Sequence, residues 1–255
     1  MKLAVLNRLS IKNKLQEVAL RALNQIEKLN IKFSKLPNHE IYPTELFEWT
    51  KFVESKYDAI HSELIKLLNS GEQIPGFEEV LHSQKAITND TEWKTFFFLG
   101  CGQKVQANCD KCPQTWLALQ SIPNISSAFF SILLPNKSIP PHRGFYNGVL
   151  RYHLGLIVPI DKSKCFIQIG ASRSSWARGE SLIFDYTFTH YVANTAGQLR
   201  VILFVDFPRP MRFPWSLVNH LIITLGGKLP DIQTGVERLK EWQDLKQVKA
   251  DETRG

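Results

Sequence analysis

The chain of 255 residues is long enough for one sizeable domain with flanking segments, because single hydrophobic cores stop growing near roughly 250–300 residues. Its 44% hydrophobic and 22% charged residues exclude a disordered or low-complexity chain. The formal net charge of +7 is spread along the chain without the basic clusters that follow a phosphate backbone, which argues against nucleic acid as a partner.

Cysteine content and targeting signals predict a cytoplasmic location. Four cysteines are too few for a disulfide scaffold, and the opening "MKLAVLNRLSIKNK" meets charge too early for a signal peptide. No apolar run approaches the ~20 residues of a membrane-spanning helix. The first thirty residues carry six Lys and Arg against two Glu, so peripheral contact with the inner membrane face is a second possibility. The sequence indicates no oligomeric state.

The N-terminal segment, residues 1–90, is predicted to be mostly helical and to pack on the core. Residues 10–31 carry an apolar stripe at helical spacing, formed by Ile11, Leu15, Val18, Ala22, Ile26 and Leu29. This helix either packs on the main domain, which we favour, or lies on a membrane surface. A second helix is predicted over residues 44–68, ending near "NSGEQIPG".

From about residue 91 the pattern changes to short β-rich runs separated by turn residues. They are "TFFFLG", "SAFFSILLP", "GVLRYHLGLIVP", "KCFIQIG", "ESLIFDY", "THYVAN" and "RVILFVDFP". Such runs without intervening helices predict a mainly β protein, best described as a jelly roll, the double-stranded β-helix of cupin-like proteins, over residues 91–210. Residues 211–255 are predicted to form an amphipathic, helical tail.

Polar residues interrupt two of these strands on the face that alternation would turn inward. Arg151 and His153 point the same way, whereas Leu150 and Tyr152 point the other way. In an enclosed barrel an inward arginine and histidine need an anionic partner, and a bound carboxylate is the simplest one. Exposure of this face to water is the alternative. Arg200 heads an otherwise apolar strand and is a further candidate for binding an anion.

Two histidines, His142 and His190, stand beside predicted strands and form a candidate metal pair. Neutral imidazole suits iron, zinc and copper, although the spacing alone is a weak indication. Asp185 lies five residues before His190. The CxxC at Cys109 and Cys112, with Cys101 nearby, lacks the second ligand pair of a structural zinc site, so free thiols are the preferred interpretation.

The segment from about Trp93 to Pro210 resembles the aspartyl/asparaginyl β-hydroxylases, a branch of the iron(II)- and 2-oxoglutarate-dependent dioxygenases that also includes bacterial lipid A acyl-chain hydroxylases. The matching stretches are "WKTFFFLG", "CPQTWLALQSIP", "FSILLPNKSIPPHRG", "LRYHLGLIVP", "WARGESLIFDYTFTHYVAN" and "RVILFVDFPRP". They occur in family order with near-family spacing over nearly half the chain. The resemblance implies that O2 and 2-oxoglutarate are consumed as an unactivated C–H bond is hydroxylated.

The resemblance also implies roles for individual residues at a metal centre. His142 matches the first iron ligand and His190 the second, while Gly144 stands where most iron oxygenases of this class keep an acidic ligand. We therefore expect another acid to orient a metal-bound water, and Asp185 is the candidate. Arg143 is expected to face the substrate.

The remaining matches concern the cosubstrate. Ser131, Arg151, His153 and Arg200 fall where the family binds 2-oxoglutarate. A bidentate arginine suits its distal carboxylate, and we expect Arg200 to take that role while the other three neutralise and orient the remaining oxygens.

Three functions stay open from the sequence. The family name favours hydroxylation of the β-carbon of an aspartyl or asparaginyl group, free or in a peptide. The first alternative is hydroxylation of a lipid acyl chain at the membrane surface, since "RPMRFPWSLVNHLIITLGG" suits a membrane interface. The second is a jelly-roll binding module without catalysis, which the intact set of His142, His190 and Arg200 disfavours.

Overall fold

The computed structural model describes residues 2–81, 88, 90–230, 233–235, 237–239 and 241–242, and within the first helix the side chains of residues 17, 18 and 20–33. The strands of this part of the chain are β1 Ile41–Tyr42, β2 Trp93–Gly100, β3 Gln103–Lys104, β4 Ser127–Leu133, β5 Ile139–His142, β6 Val149–Ile157, β7 Cys165–Ile169, β8 Ser172–Ser174, β9 Ser181–Phe184, β10 His190–Asn194 and β11 Arg200–Pro208. The helices are α1 Lys2–Phe33, α2 Trp49–Ser55, α3 Tyr57–Asn69, α4 Phe77–Val80, α5 Gln106–Lys111, α6 Pro113–Gln120 and α7 Trp215–Gly226, with a 3-10 turn at Thr44–Leu46.

The strands form two antiparallel sheets that face each other. One has seven strands in the order β1-β9-β6-β11-β4-β2-β3, and the other has four in the order β5-β10-β7-β8. Strands distant in sequence are neighbours, as in β4–β11–β6, which is the crossover pattern of a jelly roll. The predicted mainly β jelly roll with flanking helices is confirmed.

Alternation along β6 explains how the seven-stranded sheet is covered on both faces. Leu150, Tyr152, Leu154 and Leu156 are fully buried in one cluster together with side chains of α2 and α3 such as Ile60. The other face carries His153, and its neighbours Phe184 and Phe204 belong to a second cluster between the two sheets. Full burial of each such apolar side chain contributes about 1.5–3 kcal/mol, so the pattern fixes which residues of β6 face the interior.

The helices of two segments differ from the sequence prediction. Residues 106–120, expected to be free of helix, form α5 and α6 between β3 and β4. The carboxylate of Glu63 accepts bonds from the amides of Gln114 and Thr115 at the start of α6, each 2.8 Å, so a partner distant in sequence stabilises the helix. The predicted helix over 44–68 is divided into the 3-10 turn, α2 and α3.

The strand β5, with sequence "IPPH", was not predicted because proline cannot donate to a β-ladder. It is tolerated here because β5 lies at the edge of the four-stranded sheet and pairs with β10 alone.

β1, within residues 1–90, pairs with β9 and extends the larger sheet. On α1 the predicted stripe is largely unburied where its side chains are described, with Val18 63% exposed, while Ile11 and Leu15 lie outside the described side chains. The division at residues 90 and 210 stays a prediction. Within the described residues, none of the helices has the length and apolar character to cross a membrane.

Candidate active site

The two sequence-predicted histidines are neighbours in the smaller sheet. His142 ends β5 and His190 begins β10, and the antiparallel register places them directly opposite each other. Their ring centroids lie 4.2 Å apart. We call His142 and His190 the histidine pair.

Backbone carbonyls orient both rings in the same way. Nδ1 of His142 lies 2.8 Å from the carbonyl oxygen of Pro140, and Nδ1 of His190 lies 3.0 Å from that of Phe188. A carbonyl oxygen only accepts, so each Nδ1 carries the proton and each Nε2 keeps its lone pair. Burial lowers the pKa of His142 and lowers that of His190 to about 3, which keeps both imidazoles neutral at neutral pH. Neutral rings with free Nε2 lone pairs are the metal-binding form.

Among the described residues, no third protein ligand accompanies the histidine pair. Within the described part of the chain, no group of three or more His, Cys, Asp or Glu side chains could hold a metal ion. At Gly144, two residues after His142, a Cβ would overlap the ring of Tyr186. The Gly144 amide also donates to the Tyr186 carbonyl oxygen at 2.8 Å. Tyr186 therefore occupies the space that an acidic side chain at position 144 would need.

Arg200 is a buried cation without a carboxylate partner among the described residues. It is 2% exposed, its guanidinium carbon lies 4.8 Å from the Trp176 ring centroid, and Nη1 donates weakly to the backbone and hydroxyl oxygens of Ser131 at 3.4 and 3.3 Å. Its Nε has no hydrogen-bond partner in the described structure. Burial lowers the pKa of Arg200 to about 10, so the side chain still carries its charge.

His153 and Ser131 adjoin Arg200 and are held by tryptophans. Trp176 Nε1 donates to Nδ1 of His153 at 3.2 Å, which places the histidine proton on Nε2, and that atom is buried without a partner among the described residues. Trp93 Nε1 donates to the Ser131 hydroxyl at 2.9 Å, leaving the hydroxyl hydrogen available. We call Arg200, His153 and Ser131 the polar cluster. Its unpaired donors all suit an anion.

Arg151, the fourth residue assigned to the cosubstrate, already has an acidic partner. Its Nε and Nη2 donate to the two Asp206 oxygens at 2.9 and 3.1 Å. The guanidinium also lies 4.3 Å from the ring centroid of Tyr186 and 4.2 Å from that of Phe204. Because Asp206 balances its charge, Arg151 is a weaker carboxylate binder than Arg200.

Asp185 is occupied by partners of a structural kind. Its Oδ1 accepts from the amide and hydroxyl of Thr187 at 2.9 and 2.6 Å, and its Oδ2 accepts a very short bond from the buried Arg209. These contacts lend no support to the predicted role of orienting a metal-bound water. Arg143 is 59% exposed and lies 3.6 Å from Glu27, at the rim of the site.

An apolar cavity of about 190 Å³ opens beside His142, whereas His190 does not line it. The remaining wall is mainly apolar, and the polar lining comes from Ser127, His142, Arg143, Arg151, Tyr186 and Asp206. That wall includes Phe77, Val80, Leu81, Trp93, Phe97, Phe129, Phe204 and Leu239. The polar cluster does not line the cavity itself, and Trp93 adjoins both, since it lines the cavity and bonds to Ser131.

Sequence reasoning missed the residues that hold the ligating groups in place. Trp93, Trp176 and Tyr186 belong to stretches that carry the family resemblance, yet aromatic residues in or beside strands predict only core packing or a pocket wall. A tryptophan beside a buried polar group is the available signal, because its indole N–H requires a partner.

The cysteines lie in other surroundings. All four are free thiols, and Cys109 and Cys112 are buried against the helices. Burial raises the pKa of Cys109 to about 11 and that of Cys112 to about 12, so both stay protonated at neutral pH. Cys101 is the cysteine that lines the cavity.

Sequence comparison with known proteins shows which family the chain resembles. The family model described as aspartyl/asparaginyl beta-hydroxylase matches residues 54–210. An ornithine lipid ester-linked acyl 2-hydroxylase of Rhizobium tropici is 43% identical over 217 residues, covering 85% of this chain and 77% of the relative. The human aspartyl/asparaginyl beta-hydroxylase is 27% identical over 172 residues, covering 66% of this chain and 22% of the relative.

A prolyl hydroxylase of Trichoplax adhaerens, solved with a peptide fragment of hypoxia inducible factor, superposes with a TM-score of 0.47 at 12% identity, covering 74% of this chain and 92% of that chain. The family match extends over more than half of the chain and includes both histidines and the polar cluster. The chain therefore belongs to the aspartyl/asparaginyl β-hydroxylase family, a family of hydroxylases.

Proposed function

We propose that this protein is an iron(II)- and 2-oxoglutarate-dependent hydroxylase that acts on the acyl chain of a membrane lipid. The observation that carries the proposal is that His142, which lies against His190, lines an apolar cavity, and that buried polar donors in the same core have no partner among the described residues.

The histidine pair fits iron by the chemistry of its donors. Each Nε2 keeps its lone pair, and a centre with two protein ligands leaves coordination positions for the cosubstrate and for O2. Bound iron, with 2-oxoglutarate and O2, supplies the oxidising chemistry that replaces a C–H bond by C–OH.

The polar cluster binds 2-oxoglutarate in this proposal. Arg200 takes the distal carboxylate because it is the buried cation without an ion pair among the described residues. The Ser131 hydroxyl and the Nε2–H of His153 donate to the remaining oxygens, since both have a free hydrogen in the structure. Arg151 supports the charge of the site while it stays paired with Asp206.

The acyl-chain substrate rests on the cavity wall and on the bacterial relative. An apolar wall suits a hydrocarbon chain better than an acidic side chain, and it excludes water from the oxidising centre. The Rhizobium tropici relative is named for an ornithine lipid and for carbon 2 of its ester-linked acyl chain. We infer the same class here: a lipid with an ester-linked chain that is hydroxylated next to the ester carbonyl.

The sequence favoured an aspartyl or asparaginyl substrate, and that reading is the second candidate because the family model carries this description. The polar lining contributed by Arg143 and Arg151 is the feature that favours it, since both could meet an acidic group. The higher identity and wider coverage of the lipid-hydroxylating relative support the lipid reading more strongly.

The test is turnover by purified protein with iron(II), 2-oxoglutarate and O2, offered either detergent-dispersed ornithine lipid or an aspartate-containing peptide. Succinate release and one added oxygen atom in the product are measured by mass spectrometry. We expect a 2-hydroxyacyl product from the lipid. His142→Ala and His190→Ala should abolish it, whereas the exposed His39→Ala should not.

Hydroxylated peptide without hydroxylated lipid would replace the proposal by the second candidate. Turnover that is equal in wild type and in both histidine variants would reject iron catalysis at this site. Binding of 2-oxoglutarate without succinate release would indicate a non-catalytic jelly-roll module.

A further inference from the structure

Within the part of the chain that the structure describes, the outer face of α7 is an unpartnered apolar surface. Leu217, Leu221 and Leu225 follow each other at intervals of four residues and are 63%, 56% and 54% exposed, and Leu229 continues the series at 56%. We call these four residues the leucine row. Asn219, on the opposite side of the helix, is 1% exposed, so the leucines point away from the protein.

α7 is fixed to the chain segment that follows His142. Asn219 Nδ2 donates to the Gly148 carbonyl oxygen at 2.9 Å, and its Oδ1 accepts from the Tyr146 hydroxyl at 2.6 Å. The same segment carries Phe145, which is 79% exposed and lines the cavity. The leucine row and the rim of the cavity therefore belong to one rigid part of the surface.

Exposed basic residues stand at both ends of the helix that carries the leucine row. Residues 208–230 contain three Lys and Arg residues and no Asp or Glu. Arg209 is buried in its ion pair, whereas Arg212 and Lys228 are exposed at the two ends of α7. An apolar row flanked by exposed cations is the pattern of a helix that lies in the interface of an anionic bilayer.

A second copy of this chain is the competing occupant. A two-fold contact through α7 would bring the same cationic ends together, since a symmetric interface is made of one surface facing itself. Repulsion between like charges disfavours that arrangement, whereas the phosphates of an anionic bilayer would neutralise them.

We propose that the protein docks on anionic membranes through the leucine row, Phe145 and the exposed basic residues Arg212 and Lys228, with the rim of the cavity turned toward the lipid. The docking proposal rests on the proposed function in one respect: docking explains how a lipid substrate reaches the cavity without leaving the bilayer. Membrane binding itself requires neither iron nor turnover.

The test is flotation of the full chain with phosphatidylcholine vesicles that contain or lack phosphatidylglycerol. We expect wild type to bind the anionic vesicles at least tenfold more strongly than the zwitterionic ones, with weaker binding at high salt. The double variant Leu217→Glu/Leu221→Glu should lose at least tenfold in binding to anionic vesicles. Because both leucines are exposed, circular dichroism should show an unchanged fold.

Ile160→Glu is the matched control. Ile160 is 86% exposed and follows the far end of β6, whose nine residues extend roughly 26 Å from Val149. Val149 pairs with Pro208 just before α7, so Ile160 lies at the opposite end of the sheet. This variant should bind vesicles like wild type.

Three results would overturn the docking proposal. The first is that wild type does not float with anionic vesicles, and the second is that Ile160→Glu loses as much binding as the double leucine variant. The third is that wild type forms a dimer that Leu217→Glu/Leu221→Glu breaks and that does not bind vesicles. Turnover of detergent-dispersed lipid distinguishes this proposal from the enzymatic one. If neither wild type nor any variant hydroxylated the dispersed lipid, lipid hydroxylation would be rejected, whereas the conclusion from vesicle binding would be unaffected.

Discussion

At the scale of one residue, Arg200 is a cation buried in the interior without an acidic partner among the described residues. The Arg200 side chain is 2% exposed and its guanidinium lies over the Trp176 ring. Burial of a charge without an acidic partner among the described residues lowers the stability of the folded protein. A bound dicarboxylate would supply the missing charge and the missing hydrogen-bond acceptors. We therefore expect an anion to bind at Arg200, as the proposed cosubstrate site requires.

Arg200→Lys should raise the KM for 2-oxoglutarate at least tenfold, equivalent to about 1.4 kcal/mol of binding free energy, and change kcat less. A lysine ammonium cannot form the two parallel hydrogen bonds of a guanidinium with a carboxylate. Arg173→Lys is the matched control, because Arg173 also lies over an aromatic ring, 3.4 Å from the Phe166 centroid, but is exposed. Steady-state kinetics with varied 2-oxoglutarate measures both variants, and an unchanged KM in Arg200→Lys would remove this residue from the cosubstrate site.

Gly144→Ala should destabilise the fold by about 1–3 kcal/mol, because its Cβ would overlap the Tyr186 ring. Urea unfolding measures the change. Gly226→Ala is the control, since a Cβ there meets nothing within 4 Å. In a Tyr186→Ala background the effect of Gly144→Ala should shrink. An equal loss of stability in both backgrounds would show that the Tyr186 ring is not the reason for glycine at position 144.

At the scale of elements, Arg209 joins the segments that carry the histidine pair. It follows β11, and its Nε donates to the Asn147 carbonyl oxygen at 2.6 Å, in the loop after His142. Its Nη2 donates to Asp185 in the turn before His190. One buried guanidinium thus fixes the two loops relative to each other. Through this contact Asp185 helps to position the site, while its expected role in orienting a metal-bound water stays a prediction.

Asp185→Asn should lower the free energy of unfolding by about 3–5 kcal/mol, because it leaves the buried Arg209 uncompensated. The double variant Asp185→Leu/Arg209→Met removes both charges and should recover part of that loss. Urea unfolding of the three proteins checks this. Retained stability together with lost turnover in Asp185→Asn would instead restore the role that the sequence suggested.

The elements that sequence could predict are those whose pattern reflects burial. Alternation in β6 and β11 correctly indicated that Arg151, His153 and Arg200 point inward. The direction of each side chain is fixed because a shift of the strand register by one residue would expose the whole apolar face. The strand β5 escaped prediction because its two prolines are acceptable only at a sheet edge, which the sequence does not reveal. Likewise α6 depends on Glu63, about fifty residues earlier, and Asp185 could not be connected with Arg209 before the fold was known.

At the scale of the molecule, the candidate site lies between the two sheets. His142 and His190 belong to the four-stranded sheet, whereas Ser131, His153 and Arg200 belong to the seven-stranded sheet. A metal on the histidine pair, together with a dicarboxylate held by Arg200, would bind both sheets at once. Neither sheet holds the complete donor set, so the site exists only in the folded jelly roll.

Iron(II) and 2-oxoglutarate together should therefore raise the melting temperature under anaerobic conditions. A ligand at 100 times its Kd stabilises the native state by about 2.7 kcal/mol, which for a domain of this size corresponds to a shift of about 5–10 °C. Differential scanning fluorimetry of wild type, Arg200→Gln and His190→Ala separates the two contributions. Arg200→Gln should keep the shift caused by iron and lose the increment from 2-oxoglutarate, whereas His190→Ala should lose both, since the keto acid then has no metal to chelate. If 2-oxoglutarate stabilised Arg200→Gln as much as wild type, the dicarboxylate would have to bind elsewhere. The proposal that the bound ligands connect the two sheets would then be rejected.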